Sequence, residues 1–274
     1  MSLEGLFALS EHGGDTFVGE GHPYPWGGLY GGHIVAQSLR AAALTVDGEF
    51  LPHSLRAYFI RRGDNSETVR YEVDRIRNGR SFTTRRVVAR QAVGAILNLE
   101  ASFQTTEDSP DFTTVAMPVN VPRPDELPEP DYPPFSDAFE QRELPLDHVF
   151  ADGRDGAGRL AAWYRTKEDF GGDQLLHRCA LAYLSDDLPT GSVIRAVPEL
   201  RAKWGQDDAF FSASLDHTVW FHRDVEAHKW HFFEMNCHAF VHGRGLAFGY
   251  VFSESGEHVA TVAQETLVRI RDEG

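Results

Sequence analysis

His53-Ser54-Leu55-Arg56-Ala57-Tyr58-Phe59-Ile60-Arg61 and, far downstream, Asp216-His217-Thr218-Val219-Trp220-Phe221-His222-Arg223 read as two versions of one segment. Phe59 and Arg61 recur as Phe221 and Arg223, 162 residues on. Asn78-Gly79-Arg80 recurs as His242-Gly243-Arg244 at a spacing of 164, and Ala101-Ser102 falls on Ala263-Gln264, back at 162. Spacings that drift by so little point to an internal duplication.

Each copy reads the same way outward from that segment. Upstream of the first lies a helical stretch, His33 to Ala43, with Ile34, Val35, Leu39 and Ala42 at helical spacing. Gly31-Gly32 precede it and permit a tight entry. Strand-like runs then cover Leu55 to Arg62, Val69 to Arg77, Ser81 to Arg90 and Ala95 to Gln104, with Asn78-Gly79 as a hairpin signal. In the second copy a helix is expected over Gln174 to Leu184, with Asp173 as its N-cap. Strands follow over Ala209 to Arg223, Trp230 to Val241, Gly245 to Phe252 and Val259 to Ile270, with Ser255-Gly256 turning the last pair. A long helix on an antiparallel sheet, twice over, predicts an α+β double hotdog.

The copies are separated by a change of composition. Nine of the 14 prolines fall between Glu107 and Gly153, among many acidic residues. Proline removes a backbone donor and fixes φ, so this stretch cannot form an interior strand or a long helix. The expected division is an N-terminal domain over 1–106, a surface linker over 107–153 and a C-terminal domain over 154–274.

The 274 residues carry a formal charge of −15, which argues against general nucleic-acid binding because phosphate neutralisation needs a basic face. An anionic ligand held by a local patch stays compatible, with Arg61-Arg62 and Arg85-Arg86 as candidates. No apolar run approaches the roughly 20 residues of a membrane span, no secretory pattern opens the chain, and Arg271 to Gly274 is no targeting signal. The expected compartment is the cytoplasm. Two cysteines, Cys179 and Cys237, form neither a disulfide framework nor a zinc site. HExxH, GxSxG, GxGxxG and Walker A patterns are all missing, so no metal and no α/β-hydrolase serine is expected.

The remaining chemistry-bearing residues suit water activation. Asp216 sits in an aromatic run, where a carboxylate is costly unless used or hydrogen-bonded; a strand-end Asp facing solvent or capping a turn is the equal alternative. Gln264 can orient a water with its carbonyl and amide, or be an ordinary strand residue. Gly31 and Gly32 open a helix whose free N–H groups can meet an oxyanion, or serve only its entry. His53 and His217 could each act as base or as a satisfied core residue. Cys237-His238 cannot act as a simple pair, because neighbouring strand residues point to opposite faces.

These stretches together resemble the bacterial and peroxisomal acyl-CoA thioesterase II family: Gly28 to Leu39, Pro52 to Asp64, Asp74 to Phe82, Ala101 to Gln104, Leu215 to Arg223 and Thr261 to Glu265. The resemblance implies a double hotdog that hydrolyses fatty acyl-CoA to free acid and coenzyme A without a cofactor, and a homo-oligomer, dimer or tetramer. It implies a trio of Asp, Ser or Thr, and Gln that orders the attacking water. The Asp is expected at Asp216, the Gln at Gln264, and the hydroxyl residue on the strand after Trp230. Trp230 to Gly245 contains no Ser or Thr, so Cys237 or His238 stands in that place. His53 and Arg61 are expected near the substrate, with Gly31 and Gly32 at the oxyanion. The alternatives are a non-catalytic acyl-CoA-binding protein, or a hydratase or dehydratase on the same scaffold.

Overall fold

The computed structural model describes residues 2–25, 27–130, 136–148, 150, 158–206 and 209–271. Parts of the proline-rich stretch (131–135, 149 and 151–153) and the C-terminal residues 272–274 lie outside the described residues. In chain order the elements are α1 (Leu3–Phe7), β1 (Leu9–Glu11), β2 (Thr16–Gly19), α2 (Gly31–Ala43), β3 (Phe50–Phe59), β4 (Val69–Asn78), β5 (Phe82–Gln91) and β6 (Gly94–Thr105). Then follow β7 (Phe139–Glu143), β8 (Arg159–Thr166), α3 (Gln174–Leu184), α4 (Leu188–Ala196), α5 (Pro198–Arg201), β9 (Phe210–Ser214), β10 (Asp216–Phe221), β11 (His231–Val241), β12 (Arg244–Ser253) and β13 (His258–Ile270).

All paired neighbours are antiparallel, in the order β1-β2-β4-β5-β6-β3-β10-β13-β12-β11-β8-β7, with β9 also on β13. The two copies of the quoted segment, β3 and β10, are the seam: Ser54 lies opposite Trp220 and Tyr58 opposite Asp216. The helices α2 and α3 pack against each other and on this sheet. One apolar core runs through both halves, with Ile34, Val35 and Leu39 of α2, Cys179 and Leu181 of α3, Leu55 and Leu99 of the first half, and Val219 and Val262 of the second. The chain is a double hotdog of the α+β class.

Local chemistry explains the ends of these elements. The Asp173 carboxylate accepts the Leu176 N–H at 3.0 Å, so α3 starts where the cap was expected. The tight two-residue turn expected at Asn78-Gly79 is found instead at its repeat partner. His242 and Gly243 have φ of 52° and 76°, the left-handed pair that a type I′ hairpin needs. Asn78 ends β4, and three residues separate it from β5.

The proline-rich stretch is more than a spacer. Its Val115, Met117, Val121, Leu127 and Leu144 pack on Trp163, Phe232 and Phe252, and Trp163 Nε1 donates to the Pro122 carbonyl at 2.9 Å. They cover the sheet face that points away from the helices. The proline-free segment Phe139–Glu143 pairs with β8 as an edge strand, where one side of the backbone needs no partner. Among the described residues no helix is long and apolar enough to cross a membrane.

Candidate active site

The run from Ala209 to Arg223, expected as one strand, is broken at Leu215. Both pieces pair with β13, but Thr218 stands opposite Ala263 whereas Ser214 stands opposite Thr266. One strand therefore spends an extra residue, which is a β-bulge. Leu215 N–H donates to the Glu265 carbonyl at 2.8 Å, and Glu265 N–H donates to Asp216 Oδ1 at 2.6 Å. Asp216 thus clamps the bulge. His217, Val219 and Phe221 face the helices and are buried. Strict alternation would send Ser214 to the far side; the extra residue returns it to the helix side.

There it meets two buried partners. Gln264, fully buried on β13, donates from Nε2 to Ser214 Oγ at 2.9 Å. Ser214 Oγ donates to Asp186 Oδ1 at 3.1 Å. Asp186 lies two residues beyond the last residue of α3 and is 7% exposed. Gln264 and the Gly32 N–H also hydrogen-bond its carboxylate. Burial pushes this carboxyl up to about 7; those hydrogen bonds oppose the shift and the neighbouring Asp187 charge adds to it. Burial likewise pushes Asp187 up to about 6, while its hydrogen bond from Tyr164 opposes. A carboxyl that exchanges its proton near neutral pH is suited to general-base work.

The helix entry explains the glycines. Tyr30, the N-cap of α2, supplies no side-chain cap. Asp186, from the other half of the chain, takes that place at the positive end of the helix dipole. A Cβ on Gly31 would lie 2.5 Å from Asp186 Oδ2 and 3.0 Å from the Phe59 ring, and one on Gly32 would run into the Tyr183 carbonyl. Only glycine lets the carboxylate approach. Gly31 and Gly32 are also the first two helical residues rather than a lead-in.

The structure brings together Gln264, Gly31 and Gly32 of the expected site residues, and not the others. Asp216 points away from Gln264, because it neighbours His217 on the strand and alternation puts the two on opposite faces; its second oxygen lies 4.0 Å from Arg56 near the surface. Cys237 sits two strands from Gln264, packed beside Val193 and Ala247, and burial pushes its thiol up, away from thiolate. His238 falls on a bulge between Cys237 and Ala239 and is exposed. His53 bonds Ser102 Oγ at 2.8 Å and joins Gln104, Trp220, His222 and Arg223 around an open cleft of about 580 Å³. Arg61 is exposed and donates to the Ala95 carbonyl at 2.8 Å. Of the other candidate cations, Arg85 is buried with its donors on Thr45, Arg77, Thr84 and Asn78, and Arg86 is paired to Asp74.

Asp186 and Ser214 are the residues that sequence reasoning missed. The signal for Asp186 was present: two adjacent acids, Asp186-Asp187, stand one residue past an apolar helix and precede Leu188-Pro189. For Ser214 there was none, because only the bulge turns it inward. Among the described residues, ligand atoms of Asp169, His177 and His228 also come within 4.8 Å of one another. His177 Nδ1 accepts the Ala227 N–H at 3.0 Å and Nε2 lies 3.0 Å from the Gly171 carbonyl, so both of its nitrogens are occupied.

The family described as the acyl-CoA thioesterase N-terminal domain matches residues 22–104, and that described as the acyl-CoA thioesterase C-terminal domain matches residues 113–268. The chain is 31% identical over 270 residues to acyl-CoA thioesterase 2 of Haemophilus influenzae, covering 93% of each chain. It is 32% identical over 279 residues to human acyl-coenzyme A thioesterase 8, covering 94% of this chain and 85% of that one. The crystal structure of acyl-CoA thioesterase II TesB2 from Mycobacterium marinum superposes with a TM-score of 0.84 at 33% identity, over 100% of this chain and 99% of that one. With both of its halves matched in order, this chain belongs to the acyl-CoA thioesterase family.

Proposed function

We propose that the chain hydrolyses acyl-CoA thioesters at a water held by Asp186, Ser214 and Gln264. Thioester hydrolysis of acyl-CoA follows from the family; the residues that carry it are our assignment. The observation behind the assignment is the meeting of a buried carboxyl, poised near neutral pH, with a hydroxyl and an amide at the start of α2. This trio has the Asp, hydroxyl and Gln composition that the resemblance implied, with Asp186 in place of Asp216 and Ser214 in place of Cys237 or His238. The lack of Ser and Thr after Trp230, which favoured a non-catalytic reading, loses its force once Ser214 supplies the hydroxyl.

In this reading Asp186 takes a proton from the water as its oxygen attacks the thioester carbonyl. The positive end of α2 at Gly31 stabilises the developing oxyanion. The tetrahedral intermediate then expels the coenzyme A thiolate, which recovers the proton from Asp186. No cofactor enters. Arg61, just beyond Phe59 at the α2 entry, and Arg56 are the exposed cations we assign to the coenzyme A phosphates. The homo-oligomeric state and the cytoplasmic location implied by the resemblance and the sequence belong to this proposal as well.

The test is thiol release from acyl-CoA. Asp186→Asn is expected to lower kcat by about 10²-fold or more, as loss of a general base does. Wild-type turnover by the folded variant overturns the assignment. Accumulation of enoyl or hydroxyacyl products instead of free thiol would favour the hydratase alternative.

A further inference from the structure

The assigned trio does not explain why Gln264 presents its amide nitrogen, rather than its oxygen, to Ser214. We propose that His217 is a positioning residue that fixes the orientation of the Gln264 amide and, through it, the direction of the hydrogen bonds that reach Asp186. This rests on the trio assigned above.

His217 is fully buried on β10, on the helix side of the bulge. Its Nδ1 lies 2.5 Å from Gln264 Oε1 and its Nε2 lies 2.8 Å from Ser185 Oγ. Ser185 is the residue before Asp186. The side chains therefore close a ring: Ser185, His217, Gln264, Ser214, Asp186, and back to Ser185 through one peptide bond. The imidazole thus ties the carboxylate's own backbone to the amide that serves it.

The direction of this ring matters because a glutamine amide is nearly symmetric in shape. Turned over, Gln264 would offer Oε1 to Ser214. The single Ser214 proton would then go to Gln264 and leave Asp186 without that donor. A neutral imidazole with its proton on Nδ1 forbids the turn, since it must meet an acceptor. Burial holds His217 down to about 4, against the Gln264 hydrogen bond, so it is neutral at working pH. Its bare Nε2 then takes the Ser185 proton, for which the Ala182 carbonyl at 3.0 Å is the competing acceptor. With Nδ1–H on Oε1, Gln264 Nε2 faces Ser214, and Ser214 has its proton free for Asp186. The sequence expected one of two roles for His217, base or satisfied core residue; the ring gives it a third.

A double-mutant cycle tests this, with kcat, KM and Tm measured on wild type, His217→Leu, Gln264→Ala and the double variant. Outer-shell hydrogen bonds of this kind are typically worth 10- to 100-fold. His217→Leu is expected to lower kcat by roughly 10-fold with KM within about 2-fold, and to have no further effect in the Gln264→Ala background. His217→Asn, which keeps a donor near the Nδ1 position, is expected to recover kcat to within about 3-fold of wild type, whereas His217→Gln, whose donor sits farther out, is not. Equal losses from His217→Leu in both backgrounds, or an unchanged kcat, overturn the positioning role while leaving the trio intact. Wild-type turnover by Gln264→Ala overturns the trio and the positioning role together. Should the Leu variant fail to fold, the Asn and Gln variants decide, and nitrogen NMR of the His217 ring must report the Nδ1–H tautomer.

Discussion

The two halves of the chain place a buried polar group at the same point and use it in opposite ways. Thr45 follows the last residue of α2 by two, as Asp186 follows that of α3. In the first half Arg85 reaches Thr45, with Nε on the hydroxyl at 2.7 Å and Nη2 on the carbonyl at 2.9 Å, and spends its other donors on Arg77, Thr84 and Asn78. The strand next to it carries Ala101, opposite Leu55. In the second half Ala247 lies beside Gln264, next to the strand of His217, and Asp186 stands where Thr45 does. A cation with every donor paired stabilises a fold and does little else. A carboxyl that burial leaves poised near neutral pH is a candidate for general-base work. The difference teaches that one duplicated scaffold serves as a support on one side and, with the trio proposed above, as a site on the other.

Removing the support should have the largest effect on stability. Arg85→Met strands two buried acceptors of Thr45 and part-buried carbonyls of Arg77 and Thr84, which costs about 3 kcal/mol and lowers Tm by roughly 5–10 °C. Calorimetry measures this, and kcat per folded molecule is expected to hold. A matching loss of kcat would mean that the first half shares in the chemistry.

The acid side breaks differently, through pH. If Asp186 is the base, kcat/KM should rise with pH to a plateau, with a midpoint near its raised pKa of about 7. Asp187→Asn removes a charge that raises it, so the midpoint should move down. Stability runs the other way. The folded pKa lies above the unfolded value of about 3.8, so the native state holds the proton more tightly through that window. The contribution of this carboxyl to stability therefore falls as pH rises from about 4 to 7, and Asp186→Asn should melt higher than wild type at pH 8. A lower Tm for that variant would contradict the sign of the shift.

The smallest effect is expected at the residue the sequence favoured. Asp216→Asn keeps an oxygen for the Glu265 N–H, so kcat should change by less than about 3-fold. A loss near 10²-fold in thiol release would return Asp216 to the chemistry and break the comparison at its centre.

The sequence by itself carried the fold. Periodicity placed α3 with the bounds observed, the duplication announced two halves, and proline kept the middle stretch out of the sheet interior. It also singled out Gln264 and the Gly31-Gly32 entry. The alignment of the copies needed the structure for its final residue. Ala101-Ser102 falls on Ala263-Gln264 in sequence, but the buried, helix-facing counterpart of Gln264 is Ala101. Period-2 patterning fixes a face only while the register is unbroken, and one extra residue at Leu215–Asp216 reverses it. That bulge, and the packing of the end of α3 on the start of α2, are long-range facts with no local signature. They decided which aspartate and which hydroxyl stand beside Gln264.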